Sequence, residues 1–287
     1  MNRADQHERA RRFRALHDGS RVLLLPNAWD AGSACMLSEL GFSAIATTSG
    51  GMAWSLGYAD GERTPLPLVL DTVSRMARAT PLPLTVDFEA GFGDDPRAVA
   101  ESVRAVIEAG AVGINLEDGI RHQMLRPIDA AAARIAAARE AALACGLPLF
   151  INARIDAWLV DGSACPDERE DERVDETLRR ARAYLTAGAD GIYPIAATRP
   201  GTIMGLCRAI HAPVNVGARP GLPTLAELAR LGVARVSTAT RLAAVALAAA
   251  REAARRMLAG GGFDSLDAGF GYPDMQRLLA RPIDSMN

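Results

Sequence analysis

The sequence predicts a closed barrel of eight parallel strands, each followed by a helix. Three observations carry this expectation. Short apolar runs rich in Val, Ile and Leu alternate with longer Ala-, Arg- and Leu-rich stretches, and the alternation recurs eight times. Most of the strand runs are close to continuously apolar rather than apolar at every second residue, as in a sheet covered on both faces. Several are preceded by a helix-stop pair ending in Gly: Ala109-Gly110, Ala187-Gly188 and Leu231-Gly232. The runner-up is an open doubly wound sheet, but no GxGxxG follows the first strand to favour it.

In chain order, residues 5–18 read as a charged helix. Strands are expected at Val22–Leu25, Ala44–Thr47, Leu84–Phe88, Gly113–Leu116, Leu149–Asn152, Gly191–Tyr193, Val214–Val216 and Arg235–Ser237. Helices are expected to begin near Ala31, Pro67, Pro96, Ile128, Asp171, Pro200, Thr224 and Thr240. The organisation is one barrel domain over 1–287, with an N-terminal helix in 1–20 and a helical extension in 259–287. The extension follows Gly260-Gly261-Gly262 and holds an amphipathic segment, Tyr272–Ala280, placed to dock on its own barrel or a neighbour's. Asp161–Arg173 is a charge-rich stretch that reads as a solvated loop.

The 287 residues are 49% hydrophobic and 23% charged, with net charge −2. That balance gives no reason to expect a nucleic-acid or membrane partner. No run is apolar for long enough to span a bilayer and the first residues are polar, so a cytoplasmic protein is expected. Cys35, Cys145, Cys165 and Cys207 are scattered without zinc spacing, and the first, second and last read as packing residues. All 32 basic side chains are arginine. Schiff-base catalysis and a Walker-type phosphate lysine are thereby excluded.

A parallel barrel places its site at the C-terminal ends of the strands. Strand three ends in Asp87 and, two residues on, Glu89, which share a face if the strand continues. Asp60 lies in the loop after strand two, and Glu117-Asp118 close strand four. Four acids on one rim cannot all stay ionised without a counter-charge. Arg154, at the end of strand five, is one solution. A divalent cation is the other, and an all-oxygen donor set suits Mg²⁺, or Mn²⁺, rather than zinc. Arg154 reads either as a carboxylate clamp or as a structural bridge to Glu117 or Asp156. Ser49-Gly50-Gly51 reads either as a tight turn or as an anion cradle of backbone N–H groups. Asn215 ends strand seven. His122, on the loop after strand four, reads as a general acid or as a solvated side chain.

The ordered set TTSGG, LGYADG, VDFEAGFG, INLEDG and INARIDAW resembles the isocitrate lyase/phosphoenolpyruvate mutase superfamily over roughly residues 20–258. The resemblance implies a (β/α)₈ barrel that acts on small 2-oxo or 2-hydroxy carboxylates with Mg²⁺ at the strand ends. It implies a homotetramer that exchanges a terminal helix between subunits. It also implies that Ser49, Gly50 and Gly51 cradle the substrate carboxylate and that Arg154 binds it. Asp87 would then touch the metal directly, with Asp60, Glu89 and Glu117 acting through water. The sequence departs from the family after Glu117, where GIRHQMLRPID carries neither the lyases' Lys-Lys-Cys-Gly-His loop nor the mutases' longer Lys/Asn loop. Near Ile195 the family's His or Glu is absent too. The expected activity is Mg²⁺-dependent C–C cleavage or decarboxylation through an enolate. P–C bond chemistry on phosphoenolpyruvate or phosphonopyruvate, and 2-oxo acid binding with little catalysis, are the alternatives.

Overall fold

The computed structural model describes residues 2–121, 123–160, 169–267 and 269–280. The chain begins with helix α1 (Arg3–Ala15), then β1 (Leu23–Leu25), β2 (Asn27–Ala28), α2 (Ala31–Glu39), β3 (Ile45–Thr47), α3 (Ser49–Ser55) and α4 (Leu66–Ala79). Next come β4 (Leu84–Asp87), α5 (Pro96–Glu108), β5 (Gly113–Glu117), the short pair β6 (Gly119–Ile120) and β7 (Met124–Leu125), and α6 (Ile128–Ala144). The remainder is β8 (Phe150–Ile155), α7 (Glu170–Thr186), β9 (Gly191–Pro194), α8 (Pro200–Ala209), β10 (Asn215–Gly217), α9 (Leu225–Arg230), β11 (Arg235–Ser237), α10 (Arg241–Leu258) and α11 (Tyr272–Leu279).

The strands close into a barrel. β2, β3, β4, β5, β8 and β9 pair in that order, all parallel. A parallel bridge from Ile192 to Val214 carries the sheet on toward β10, which pairs with β11, and β11 with β1. β1 and β2 are one stave interrupted at Pro26, whose missing N–H breaks the ladder. All eight expected strands are present. β8 runs three residues further than its apolar run suggested, because Arg154 is held by flanking carboxylates inside the fold.

Local chemistry explains the helix starts. Asp30 and Ser33 form a reciprocal capping box on α2, Asp95 caps α5 ahead of Pro96, and Thr224 with Glu227 boxes α9. Gly110 and Gly188 end helices at φ +112° and +106°, a conformation that only glycine adopts without strain.

Helix α1 seals the N-terminal mouth of the barrel. It is almost wholly polar, yet Ala10 and Phe13 are fully buried. The Phe13 ring meets Phe150 edge-on at 5.6 Å between centroids. Gly113 is glycine because a Cβ there would stand 2.8 Å from the Phe13 ring. Gln6, Arg9 and Arg14 tie the helix down by donating to carbonyl or carboxylate oxygens on the barrel.

At the other end of the chain, α11 lies on α2 of its own chain. Arg277 pairs with Glu39, and Leu278 is buried with its carbonyl accepting from Cys35 Sγ at 3.5 Å. The expected exchange of this terminal helix is therefore not what the single chain displays. The helix left bare is α10, in which Ala243 alone is buried and Val245, Leu247 and Leu258 are exposed. No described helix is long and apolar enough to cross a membrane.

Candidate active site

The register of the barrel sets the site. Parallel pairing places Asp87 beside Asn115, Glu117 beside Arg154, and Arg154 beside Tyr193. Neighbours in register share a face, so these side chains enter the same mouth of the barrel.

Asp87 is held from two neighbouring elements. Its Oδ2 accepts from Ser49 Oγ at 3.1 Å and from the Ser49 N–H at 3.4 Å. Its Oδ1 lies 3.5 Å from Asn115 Nδ2, and its backbone N–H donates to Thr47 Oγ1 at 2.9 Å. Ser49-Gly50-Gly51 is not the turn that the sequence suggested. It is the first turn of α3, with Thr48 Oγ1 accepting from the Gly51 N–H. The glycines admit neighbours: a Cβ on Gly50 would stand 2.8 Å from Thr240 Cγ2 and 3.2 Å from Asp60 Oδ2. Asp60 thus lies against the α3 turn, and its Oδ1 is buried without a hydrogen-bond partner among the described residues.

Glu89 reaches the site by a different route from the one expected. β4 ends at Asp87, and Glu89 sits at φ +47° in the left-handed region. The shared strand face is therefore corrected to a strained turn. That turn is secured when the Glu62 N–H donates to Glu89 Oε2 and Glu62 Oε1 accepts from the Phe92 N–H at 2.6 Å. The Glu117 N–H donates to the Glu89 carbonyl at 2.8 Å. Glu62 is a tie that sequence reading missed, since LGYADGERT shows only another loop acid.

Arg154 stands between two carboxylates. Nε and Nη2 donate to Asp156 at 2.7 and 3.1 Å, and Nη1 lies 2.7 Å from Glu117 Oε2. Both structural bridges considered from the sequence are present together. A substrate carboxylate at this arginine would join an existing ion-pair cluster rather than meet a lone guanidinium.

Asp118 organises the loop that follows. Its Oδ1 accepts from the Asp156 N–H at 2.9 Å. Its Oδ2 accepts from Tyr184 Oη at 2.7 Å and Arg180 Nη1 at 3.1 Å. The Arg126 N–H donates to the Asp118 carbonyl, and Arg180 Nη1 donates to the Arg126 carbonyl, both at 2.9 Å. Helix α7 thus clamps both ends of the segment from Asp118 to Arg126. Nothing near Asp118 in the chain signals this, because Arg180 lies 62 residues beyond it. His122 lies outside the described residues.

A cavity of about 350 Å³ opens beside Glu89 and Glu117, with Glu62, Asp94, Arg121 and Arg126 on its walls. Arg126 Nε is buried there without a partner among the described residues. Across the barrel, Asn215 Nδ2 donates to Ser237 Oγ at 3.1 Å while its Oδ1 has no such partner. Arg235, buried in the barrel interior, donates through Nη2 to Asn115 Oδ1 at 3.1 Å. Asn115 and Arg235 were absent from the sequence-derived site. Asn115 was detectable, lying two residues before Glu117 and so on the same strand face.

The electrostatics ask for a cation. Burial, then Asp60, Asp87 and Glu62, push Glu89 up to about 8 against the opposing Glu62 N–H. Burial also raises Glu117 well above the ordinary carboxylate range despite Arg154, with Asp156, Asp87 and Glu89 adding to the rise. Among the described residues no three acids, histidines or cysteines converge closely enough to grip an ion directly. The orphaned Asp60 oxygen and the raised, closely grouped carboxylates are oxygen donors of the kind that a hard cation would fit.

Residues 13–258 match the sequence profile of phosphoenolpyruvate phosphomutase. The chain belongs to this family. A solved structure described as a putative lyase/mutase from Burkholderia cenocepacia is 40% identical and superimposes with a TM-score of 0.88, covering 97% of this chain and 98% of that one. An oxaloacetate decarboxylase of Pseudomonas paraeruginosa is 30% identical over 81% of this chain and 79% of its own length. A 2-methylisocitrate lyase of Escherichia coli is 31% identical over 72% of this chain and 69% of its own. The protein is an enzyme of the isocitrate lyase/phosphoenolpyruvate mutase superfamily, and its parallel barrel is that superfamily's fold.

Proposed function

We propose that this protein is a divalent-cation-dependent lyase that cleaves a C–C bond in, or decarboxylates, a small 2-oxo or 2-hydroxy acid through an enolate. The observation that carries the reading is the gathering of Asp87, Asp60, Glu89 and Glu117 on one rim, where burial and neighbouring acids disfavour the ionised forms of Glu89 and Glu117 and an oxygen of Asp60 is left without a partner among the described residues. Mg²⁺ is the ion of choice, with Mn²⁺ a substitute. When bound, the cation supplies Lewis-acid polarisation of the substrate's 2-oxo group.

The chain's own residues do the rest. Ser49 and Asn115 fix the rotamer of Asp87. Arg154, aligned by Asp156, orients the substrate's 1-carboxylate toward the α3 turn at Ser49, Gly50 and Gly51, with Asn215 on the far side of the barrel. Arg121 and Arg126 on the cavity wall meet the group at the substrate's other end. A four-carbon 2-oxo dicarboxylate satisfies both ends, and one relative is named for such a substrate, an oxaloacetate decarboxylase. Oxaloacetate is therefore the first substrate to assay. Mg²⁺-dependent loss of its C4 carboxylate, abolished in Asp87→Ala, supports the reading. A phosphorus signal appearing from phosphonopyruvate, with no oxo-acid cleavage, would replace it with the P–C branch.

The assembly reading extends the bare face of α10. Trp29, Met36, Leu40, Leu242, Val245 and Met275 line an apolar groove of about 470 Å³ between α2, α10 and α11. A second copy exchanging a helix into this groove would cover it, within the family's tetramer. Light scattering that shows a monomer at micromolar concentration would refute the exchange.

A further inference from the structure

We propose that the Tyr193 phenol is the proton donor of this site, delivering its proton to the carbanionic carbon of the enolate left when the substrate's C–C bond breaks. The inference rests on the lyase reading above and deepens it by naming the acid.

Tyr193 stands beside Arg154 in the β8–β9 register, so its side chain enters the barrel mouth with that arginine. It is 3% exposed. Its Oη makes no hydrogen bond of ordinary geometry with any described group. The neighbouring hydroxyl, Ser237 Oγ, already accepts from Asn215 Nδ2 at 3.1 Å. A buried hydroxyl without a partner is a standing cost to the fold, and such costs collect where a ligand completes the bonding. The backbone of β10 makes room for this one: a Cβ on Gly217 would stand 2.7 Å from Tyr193 Oη. Glycine at 217 therefore lets the phenol reach across the mouth.

The surroundings suit the task. Burial, with Asp87 facing the phenol from β4, keeps it protonated, while Arg154, a hydrogen-bonding approach of Ser237 outside ordinary geometry, and Arg235 pull the other way. The resting group is thus a neutral donor with two guanidinium groups in electrostatic range. Arg235 brings Nε and Nη1, neither of which is hydrogen-bonded to a described residue. The other candidates are poorly placed. Glu89 and Glu117 belong to the cation side of the site. Cys35 lies under α11, Cys145 and Cys207 lie outside the barrel mouth beyond α6 and in α8, and the chain has no lysine.

The step balances. The electron pair of the breaking C–C bond passes into the enolate. The enolate carbon then takes the proton from Oη, and the O–H electron pair remains on oxygen as phenolate beside Arg154 and Arg235. Water returns the proton as product leaves.

Exchange of the methyl protons of pyruvate for deuterium in Mg²⁺-containing D₂O, followed by proton NMR, isolates this transfer from bond cleavage. Oxalate binding, measured by calorimetry, reports an intact site independently of turnover. Tyr193→Phe should slow exchange by about 10²–10⁴-fold while oxalate affinity stays within twofold of wild type. Gly217→Ala, which pushes on the phenol without removing it, should lower exchange in the same sense and covers the case that Tyr193→Phe does not fold. His122→Ala should leave exchange within a few-fold of wild type. Wild-type exchange in Tyr193→Phe, or exchange lost in His122→Ala but not in Tyr193→Phe, overturns the assignment and leaves the lyase reading standing. A wild-type protein that binds oxalate but neither exchanges pyruvate nor cleaves any oxo acid overturns both.

Discussion

Cation binding should release protons, and the structure sets the size of the effect. Glu89 has an ordinary carboxylate value of 4.5 and is held at about 8, chiefly by burial. Its folded value lies above its unfolded one, so in the cation-free protein this group costs stability as pH rises from about 4.5 to about 8. A divalent ion needs the ionised form. At pH 6 only about 1% of Glu89 is ionised, so Mg²⁺ should bind about 100-fold more weakly than on the plateau above pH 8, a difference of about 2.7 kcal/mol. Glu117, raised for the same reasons, adds to the trend in the same direction. Calorimetry at pH 6, 7, 8 and 9, in pairs of buffers differing in ionisation enthalpy, measures both affinity and proton release. The expected result is about one proton released per ion near pH 6–7, falling toward zero by pH 9. Affinity should rise roughly tenfold per pH unit in between. A flat affinity with no proton release would refute the reasoning, because the ion would then be bound by groups already ionised at pH 6.

Other expectations follow from the same geometry. Asp87→Ala should lose the Mg²⁺-induced rise in melting temperature, which in wild type corresponds to about 2.7 kcal/mol at an ion concentration 100 times Kd. Arg154→Lys should raise KM at least tenfold, because the fork held by Asp156 and Glu117 is lost; an unchanged KM removes the clamp. Arg180→Leu withdraws the cation from buried Asp118 and releases the Arg126 carbonyl. It should cost about 3–5 kcal/mol in denaturant unfolding and make the chain after Asp118 more sensitive to protease. Phe13→Ala should cost about 3–5 kcal/mol, since the ring fills the closed end of the barrel; a cost below 1 kcal/mol would show that α1 does not seal it.

The fold was legible because its signals are local. Continuous apolar runs and helix-stop glycines mark strands and helices without knowledge of what they pack against, and the acids at the ends of β4 and β5 could be read from position alone. What stayed hidden depends on backbone geometry or distant partners. The left-handed turn at Glu89 breaks the two-residue alternation, so the acid arrives from a loop held by Glu62. The α3 turn looked like a loop because Ser-Gly-Gly has low helix propensity, yet Thr48 caps it and Asp60 packs against Gly50. α1 was legible as a helix but not as a plug, since its buried face amounts to Ala10 and Phe13 amid charge. Arg180, Tyr184 and Arg235 take their meaning from partners on other elements, a relation that single-sequence spacing does not encode.

The central claim is that a cation held at Asp87 makes this barrel a lyase for small oxo acids. Its most direct measurement is turnover of a panel of 2-oxo and 2-hydroxy acids, oxaloacetate first, followed by proton NMR before and after exhaustive chelation and again after Mg²⁺ is restored. The account predicts cleavage or decarboxylation of at least one acid, lost on chelation and recovered with Mg²⁺. Turnover untouched by chelation, or tight oxo-acid binding with no turnover of any panel member, would contradict it.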